Sequence, residues 1–138
     1  METDNDKLQD TFQRLRYEYS EVNQNFRHYS ALRFAILSVF FAGVGLLFSI
    51  AFGPIDSTAY FRMLAKFGGL LITIVFFIFE HILNEYLRHF AKVAMELEEL
   101  LGYKQFKSRP QFRVQTRHAT YGLYILLVVF WIYALLWT

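Results

Sequence analysis

The run FAILSVFFAGVGLLFSIAF, from Phe34 to Phe52, contains no charged residue over 19 positions. As an α-helix it measures about 28 Å, which matches the hydrocarbon thickness of a bilayer. A second run of the same kind, ATYGLYILLVVFWIYALLW, extends from Ala119 to Trp137. Both runs predict transmembrane helices, so the expected fold class is an all-α integral membrane protein.

A third apolar run lies between these two and carries charges at its ends. Its uncharged part covers only Phe67 to Phe79. It reaches membrane length if Lys66 extends its ammonium group to one interface and Glu80 and His81 lie at the other. The sequence therefore predicts three transmembrane helices, at 34–52, 63–82 and 119–138, with an outer loop at 53–62.

The composition agrees with a membrane protein and excludes several kinds of chemistry. Hydrophobic residues make up 55% of the 138 residues and aromatic residues 20%, and there is no cysteine. Disulfides, thiolate metal sites and cysteine nucleophiles are therefore excluded. A net charge of +2 is too small to indicate a nucleic-acid partner. We predict no catalytic residue, no cofactor and no metal site.

Lysine and arginine are distributed unevenly between the segments that flank the three runs. Residues 1–33 hold five of them, residues 80–118 hold seven, and the loop at 53–62 holds one. Basic flanking segments remain on the cytoplasmic side of a membrane. The sequence therefore predicts a multi-pass protein of the cell inner (cytoplasmic) membrane, with its amino terminus in the cytoplasm and its carboxyl terminus outside.

Two amphipathic helices are predicted on the cytoplasmic side, because apolar residues recur there at alternating spacings of four and three. The two stripes are Leu8, Phe12, Leu15, Tyr19, Val22, Phe26 and Tyr29, and then Leu83, Leu87, Phe90, Ala94, Leu97 and Leu101. Residues with this spacing occupy the a and d positions of a heptad repeat. Side chains at these positions pack along another helix, either within one chain or between subunits. We expect segments 1–33 and 83–103 to form an antiparallel stalk with Glu96, Glu98 and Glu99 on a solvated face. A basic, mostly extended return segment at 104–118 follows.

Small residues recur along the first predicted span, at Ala35, Ser38, Ala42, Gly45 and Ser49. A small-residue seam allows helices to approach closely in lipid. It predicts either tight packing of the first span on the second, with the bulky third span toward lipid, or a face toward another subunit or a pore. Together with Phe12, Tyr19 and Phe26 of the stalk, these five residues form the predicted packing or oligomer seam.

Arginines and histidines gather at the predicted cytoplasmic ends of the spans. The candidate residues for binding anionic lipid or another anion are Arg27, His28, Arg88, His89, Arg113, Arg117 and His118. Anchoring at lipid headgroups is the alternative role. His81 and His89 share a helical face with Glu85, but one helix separates the two imidazoles by about 12 Å, which is too far for one metal ion. A hydrogen bond between Glu85 and a histidine is expected instead.

From residue 8 to residue 101, a charged helix continues into the first span, a short outer hairpin follows, and an amphipathic helix continues the second span. This arrangement resembles the small prokaryotic membrane proteins of the SLATT and RipA-type groups, although the third span departs from their two-span pattern. The resemblance implies a homo-oligomeric, pore-like effector of bacterial defence against phage. The alternative is a membrane adaptor whose stalk docks a cytoplasmic partner protein.

Overall fold

The computed structural model describes residues 4–53, 58–108 and 116–137, and nearly all of them are helical. Helix α1 spans Asp4–Phe52, helix α2 spans Ala59–Leu101 and helix α3 spans Thr116–Leu136. All three are long and apolar enough to cross a membrane. The predicted all-α class and its three candidate transmembrane helices are therefore confirmed.

The sequence around each helix end explains where these helices stop. Helix α1 continues for 49 residues because neither glycine nor proline interrupts it before Gly43. Helix α2 ends at Leu101, and Gly102 follows it with a φ of 74°, a left-handed conformation that glycine adopts without strain. The next amide, of Tyr103, donates to the Glu98 carbonyl at 3.0 Å, and this bond closes a Schellman-type cap.

Contacts within the chain define two compact units. The first, called the polar unit below, comprises Met1–Leu32 and Leu83–Gln111. Its buried core consists of Tyr19, Ala94, Leu97 and Phe106, with Leu15, Val22 and Phe26 packed against it. Most of the stripe residues on α1 and α2 therefore pack within the chain, whereas Leu8 and Phe12 are exposed.

The second unit, called the apolar unit below, comprises Arg33–Ile82 and Phe112–Thr138. All three helices contribute to its core, which contains Phe40, Val44, Ala51, Ala65, Tyr124 and Trp131. The prediction that the third span only faces lipid is wrong, because Tyr124 and Trp131 are fully buried. The Trp131 indole lies directly on Gly69, where the missing side chain leaves room for it.

The small-residue seam is not where α1 packs on α2 in the apolar unit. Its five residues are exposed, and Gly45 has no neighbouring atom within 4 Å of the place where a Cβ would lie. Helix α1 instead turns large side chains toward α2. The Leu47 side chain lies 3.5 Å from the position that an added Cβ would take at Gly68. The prediction of a seam between spans one and two is therefore wrong, because the two helices approach at Gly43 of α1, beside Ile72, and at Gly68 of α2, beside Leu47.

Much of the predicted return segment at 104–118 lies outside the described residues, which omit 109–115. Residues 105–108 form turns, and the Ser108 amide donates to the Lys104 carbonyl at 3.0 Å. Residues 116–118 already belong to α3. The described parts of this segment are therefore not extended, because local backbone hydrogen bonds hold the chain in turns and then in a helix.

Candidate functional site

A buried ion pair joins the ends of two apolar runs in the apolar unit. Arg33 directly precedes the first run, and Glu80 directly follows the uncharged part of the second. Arg33 Nη2 pairs with Glu80 Oε1, and the two side chains are 19% and 3% exposed. Arg33 Nη2 also donates to Thr120 Oγ1 at 3.2 Å. One guanidinium group thus connects residues of α1, α2 and α3.

Sequence reasoning missed this pair, although a signal for it was present. Two consecutive spans run in opposite directions, so the start of the first and the end of the second lie at the same end of the helix pair. Opposite charges at Arg33 and Glu80 are then close enough to pair. In an apolar environment each charge without its partner is strongly unfavourable, so the pair specifies how the helices are aligned.

Polar groups continue along α3 beside the ion pair. Tyr124 lies one turn beyond Thr120, and its ring packs on Phe40 and Phe77 with centroid distances of 4.9 and 5.8 Å. Its hydroxyl is buried and has no hydrogen-bond partner among the described residues. The neighbouring Tyr121 hydroxyl is exposed and lies 3.0 Å from His81 Nδ1. This end of the apolar unit is therefore its most polar part.

The opposite end of the apolar unit carries a second buried cation. Lys66 is buried, and its ammonium lies 5.7 Å above the centre of the Phe52 ring. Such cation–π contacts offset part of the cost of removing the charge from water. The same Phe52 ring stacks with Trp131 at a centroid distance of 6.2 Å. The indole Nε1 of Trp131 is buried and, within the described part of the chain, has no acceptor.

The structure brings together some of the residues predicted to bind an anion. In the polar unit, Tyr29 contacts the His28 ring and the Phe90 ring, and Phe90 contacts the His89 ring, with centroid distances of 5.4 to 5.9 Å. The pairs Arg27–His28 and Arg88–His89 therefore flank one group of contacting rings, and all four residues are exposed.

The other candidates lie apart from this group. His118 is exposed on α3, Arg113 lies outside the described residues, and the Arg117 side chain is not described either. Glu85, expected to bond a histidine, pairs with Arg88 at 3.3 Å instead. Among the described residues, no group of three His, Asp or Glu side chains is arranged to hold a metal ion.

Glu98 is a buried carboxylate in the core of the polar unit. It accepts hydrogen bonds from the amide of Phe106 at 2.8 Å, the amide of Lys107 at 3.2 Å and the hydroxyl of Tyr19 at 2.9 Å. Burial alone would raise the pKa of Glu98, but these three donors stabilise the carboxylate and hold its pKa below the ordinary value. The predicted solvated face is therefore wrong for Glu98, because the turn after Gly102 returns backbone amides to it.

Replacing Glu98 with glutamine is expected to destabilise the polar unit by about 1–3 kcal/mol, because buried donors lose a charged acceptor. Since the folded pKa is lowered, the contribution of Glu98 is present above its ordinary pKa and is lost as the pH falls through the folded pKa. Unfolding monitored by helicity in mild detergent should therefore depend less on acidic pH in Glu98→Gln. The exposed Glu96→Gln is the control, and equal behaviour of the two variants would contradict the assignment.

Comparisons of the chain with models of known protein families, with curated proteins and with solved structures find no match. Its function is therefore inferred from the geometry of the described residues.

Proposed function

We propose that this chain is a non-enzymatic subunit of a homo-oligomer in the cell inner membrane. In this proposal the oligomer acts as a pore-like, membrane-perturbing effector of bacterial defence, as the resemblance to SLATT and RipA-type proteins implies. The observation that carries the proposal is the exposed small-residue seam on α1. Its small residues suit close helix contact, and all five of them are exposed within the described part of the chain.

Helical spacing places bulky side chains on both sides of the seam, so that it would form a shallow groove. Ala35, Ala42 and Gly45 lie along its floor and are exposed. One edge carries Phe34 and Phe41, seven residues apart, and the other carries Val39 and Leu46, also seven apart. All four edge residues are exposed as well. A floor of small residues between two ridges is a shape that accepts another helix.

The spacing of these residues fits a second copy of α1. The small residues recur every 3.5 residues on average and occupy the a and d positions of a heptad pattern. Phe34 and Phe41 then fall at g positions, and Val39 falls at an e position. Two copies inserted alike into one membrane have parallel first spans, and parallel pairs place each g residue beside an e residue of the other helix. Phe34 of one copy would therefore pack over Val39 of the next.

Packing, rather than polar bonding, would hold such a contact together. The Ser38 and Ser49 hydroxyls already donate to backbone carbonyls of α1, each at 3.0 Å. Of the residues in the three apolar stretches, only 17%, 28% and 17% are buried inside the chain. Most of each stretch therefore faces lipid or another subunit, and in lipid close packing is the main force that drives helices together.

The predicted cytoplasmic stalk is part of the same proposal. In the polar unit, Tyr29 of α1 contacts Tyr86 and Phe90 of α2, whereas the earlier residue Tyr19 contacts the later residues Glu98 and Tyr103. This order of contacts supports an antiparallel arrangement. The excess of lysine and arginine in residues 1–33 and 80–118 supports a cytoplasmic location for it.

Enlarging the seam is expected to weaken self-association. Gly45→Leu places a bulky side chain on the small-residue seam and should raise the dissociation constant by roughly tenfold or more, which corresponds to ~1.4 kcal/mol. Gly122→Leu on α3 is the matched control, because Gly122 also has open space around it. Mass measurement in mild detergent should show an oligomer for the native chain and for Gly122→Leu. A native monomer, or equal loss in both variants, would refute the seam contact.

A membrane adaptor that docks a partner protein is the second candidate function. It is favoured by the exposed Leu8, Phe12 and Tyr17 on the amino-terminal part of α1, which the core of the polar unit leaves uncovered. Dye release from vesicles separates the two functions, because a pore releases carboxyfluorescein and an adaptor does not. Polar substitutions for a docking test belong at Leu8 and Phe12, since Tyr19 and Phe26 hold the core of the polar unit together.

A further inference from the structure

Buried polar residues are aligned along one face of α2 in the apolar unit. Lys66, Thr73 and Glu80 are seven residues apart, and they are 9%, 0% and 2% exposed. Among the charged side chains of the described residues, only that of Glu98 is equally buried. Seven residues correspond to nearly two helical turns, so the three side chains follow one line over about 21 Å of helix. That length covers most of the ~30 Å hydrocarbon core of a bilayer.

Helix α3 contributes two further polar groups to this interior. Tyr124 and Trp131 are also seven residues apart and are 1% and 0% exposed. The Tyr124 hydroxyl and the Trp131 Nε1 are the two buried side-chain polar atoms that have no hydrogen-bond partner among the described residues. Tyr124 lies one helical turn beyond Thr120, whose hydroxyl accepts a hydrogen bond from Arg33. Trp131 rests on Gly69, which lies between Lys66 and Thr73 on α2.

We propose that these groups form a proton path through the apolar unit of a single chain, from Glu80 at one end to Lys66 at the other. Polar and ionisable side chains are unfavourable inside a membrane, and where they persist they characteristically mark ion and proton pathways. This activity is distinct from the oligomeric pore, because every group of the path belongs to one chain.

Each buried polar side chain on α2 has a local contact, but these contacts do not explain why the three side chains are aligned along the helix. Lys66 lies over Phe52, Thr73 donates to the Gly69 carbonyl at 2.7 Å, and Glu80 pairs with Arg33. None of these contacts satisfies the Tyr124 hydroxyl or the Trp131 Nε1. A buried polar atom without a protein partner is typically satisfied by an internal water molecule. Water at both positions would connect the polar side chains of α2 with those of α3.

A proton would cross by exchange between neighbouring groups. The Glu80 carboxylate takes up a proton and passes it to water at the Tyr124 hydroxyl. The phenol accepts one proton on its oxygen and releases its own, and water passes the proton onward past Thr73 to Lys66. Lys66 takes up this proton as its ammonium releases one at the far end of the path. The Trp131 N–H only donates, so it orients water without exchanging its proton. Each exchanging group gains one proton and loses one, and the net result is the transfer of one proton.

An aromatic layer interrupts this line between Thr73 and Glu80. Phe40 of α1 is fully buried, and its ring lies 5.2 Å from the Phe76 ring and 4.9 Å from the Tyr124 ring between centroids. Hydrophobic constrictions of this kind exclude water and close a path. The path is therefore closed in this conformation, and Phe40 is the residue whose removal should open it.

The test measures proton entry into vesicles that contain the reconstituted full-length chain and an internal pH-sensitive dye, with a potassium diffusion potential as the driving force. Phe40→Ala is expected to raise the rate of proton entry by at least about tenfold, which corresponds to ~1.4 kcal/mol off the barrier. Phe79→Ala is the matched control, because Phe79 is an exposed phenylalanine of the same unit. Equal rates for Phe40→Ala, Phe79→Ala and the native chain would overturn the proposal.

Further substitutions, combined with Phe40→Ala, identify the groups through which the protons pass. In the Phe40→Ala background, Tyr124→Phe removes only the hydroxyl and is expected to return proton entry toward the native rate, as is Lys66→Met. Simultaneous release of carboxyfluorescein would indicate a general leak and overturn the proton path. Gly45→Leu should leave proton entry in Phe40→Ala unchanged, so a failure of the oligomer and a failure of the path give different results.

Discussion

Replacing Arg33 with methionine is expected to lower the free energy of unfolding by about 3–5 kcal/mol, because it leaves the buried Glu80 carboxylate without its cation. The same change removes the hydrogen bond to Thr120, and with it a polar link between α1 and α3. Loss of helicity during denaturant titration in mild detergent measures the effect.

Two comparisons separate this effect from a general loss of an arginine. Arg88→Met breaks an exposed pair with Glu85 and should cost at most about 1 kcal/mol. The double variant Arg33→Met with Glu80→Met removes both charges, so it should recover much of the stability lost in Arg33→Met alone. A double variant no more stable than Arg33→Met would show that the pair is not the source of the effect.

Gly69→Ala is expected to destabilise the apolar unit by about 1–3 kcal/mol, because the added Cβ would overlap the Trp131 indole and force α3 to shift. Gly68 is the matched control on the adjacent position. There an added Cβ meets Leu47 at 3.5 Å, which is ordinary van der Waals contact, so Gly68→Ala should be close to neutral. The same substitution is therefore expected to destabilise the apolar unit at Gly69 and to have little effect at Gly68.

The position of Trp131 can be followed directly in these glycine variants. In a Trp137→Phe background, Trp131 is the only remaining tryptophan. Its fluorescence should be protected from acrylamide in Gly68→Ala and more accessible in Gly69→Ala. Equal protection and equal stability in the two variants would contradict the packing of α3 on Gly69.

The candidate sites connect to the proposed functions through their positions in the apolar unit. Arg33, Glu80 and Thr120 align three helices from within, whereas the seam on α1 faces outward. Because these inner contacts fix the three helices relative to one another, the outer surface of one chain has a defined shape, which a homo-oligomer requires. The proton path uses the inner groups and the oligomer uses the outer ones, so the two activities can be tested with separate substitutions.

The amino-acid sequence alone determined the features that follow from the hydropathy of one segment or from the spacing of apolar residues within it. Each apolar run predicts a long helix because its residues all avoid water, whichever way they point. The alternating spacing of four and three predicted the packing stripe of the polar unit. Tyr19 and Leu97 do lie in its core, and Leu15 and Val22 pack against that core. That prediction succeeds because the other sides of these helices are polar, so the apolar stripe has one favourable orientation in water.

Only the tertiary structure decided which face of each span is buried. In a membrane, lipid and protein interior are both apolar, so hydropathy does not distinguish the side of α3 that carries Trp131 from the side that carries Val129. The small-residue seam indicated close approach, but it did not indicate what approaches. The run from Phe34 to Phe52 thus predicted a span, whereas the room at Gly69 and the pairing of Arg33 with Glu80 determine how that span is rotated against its neighbours.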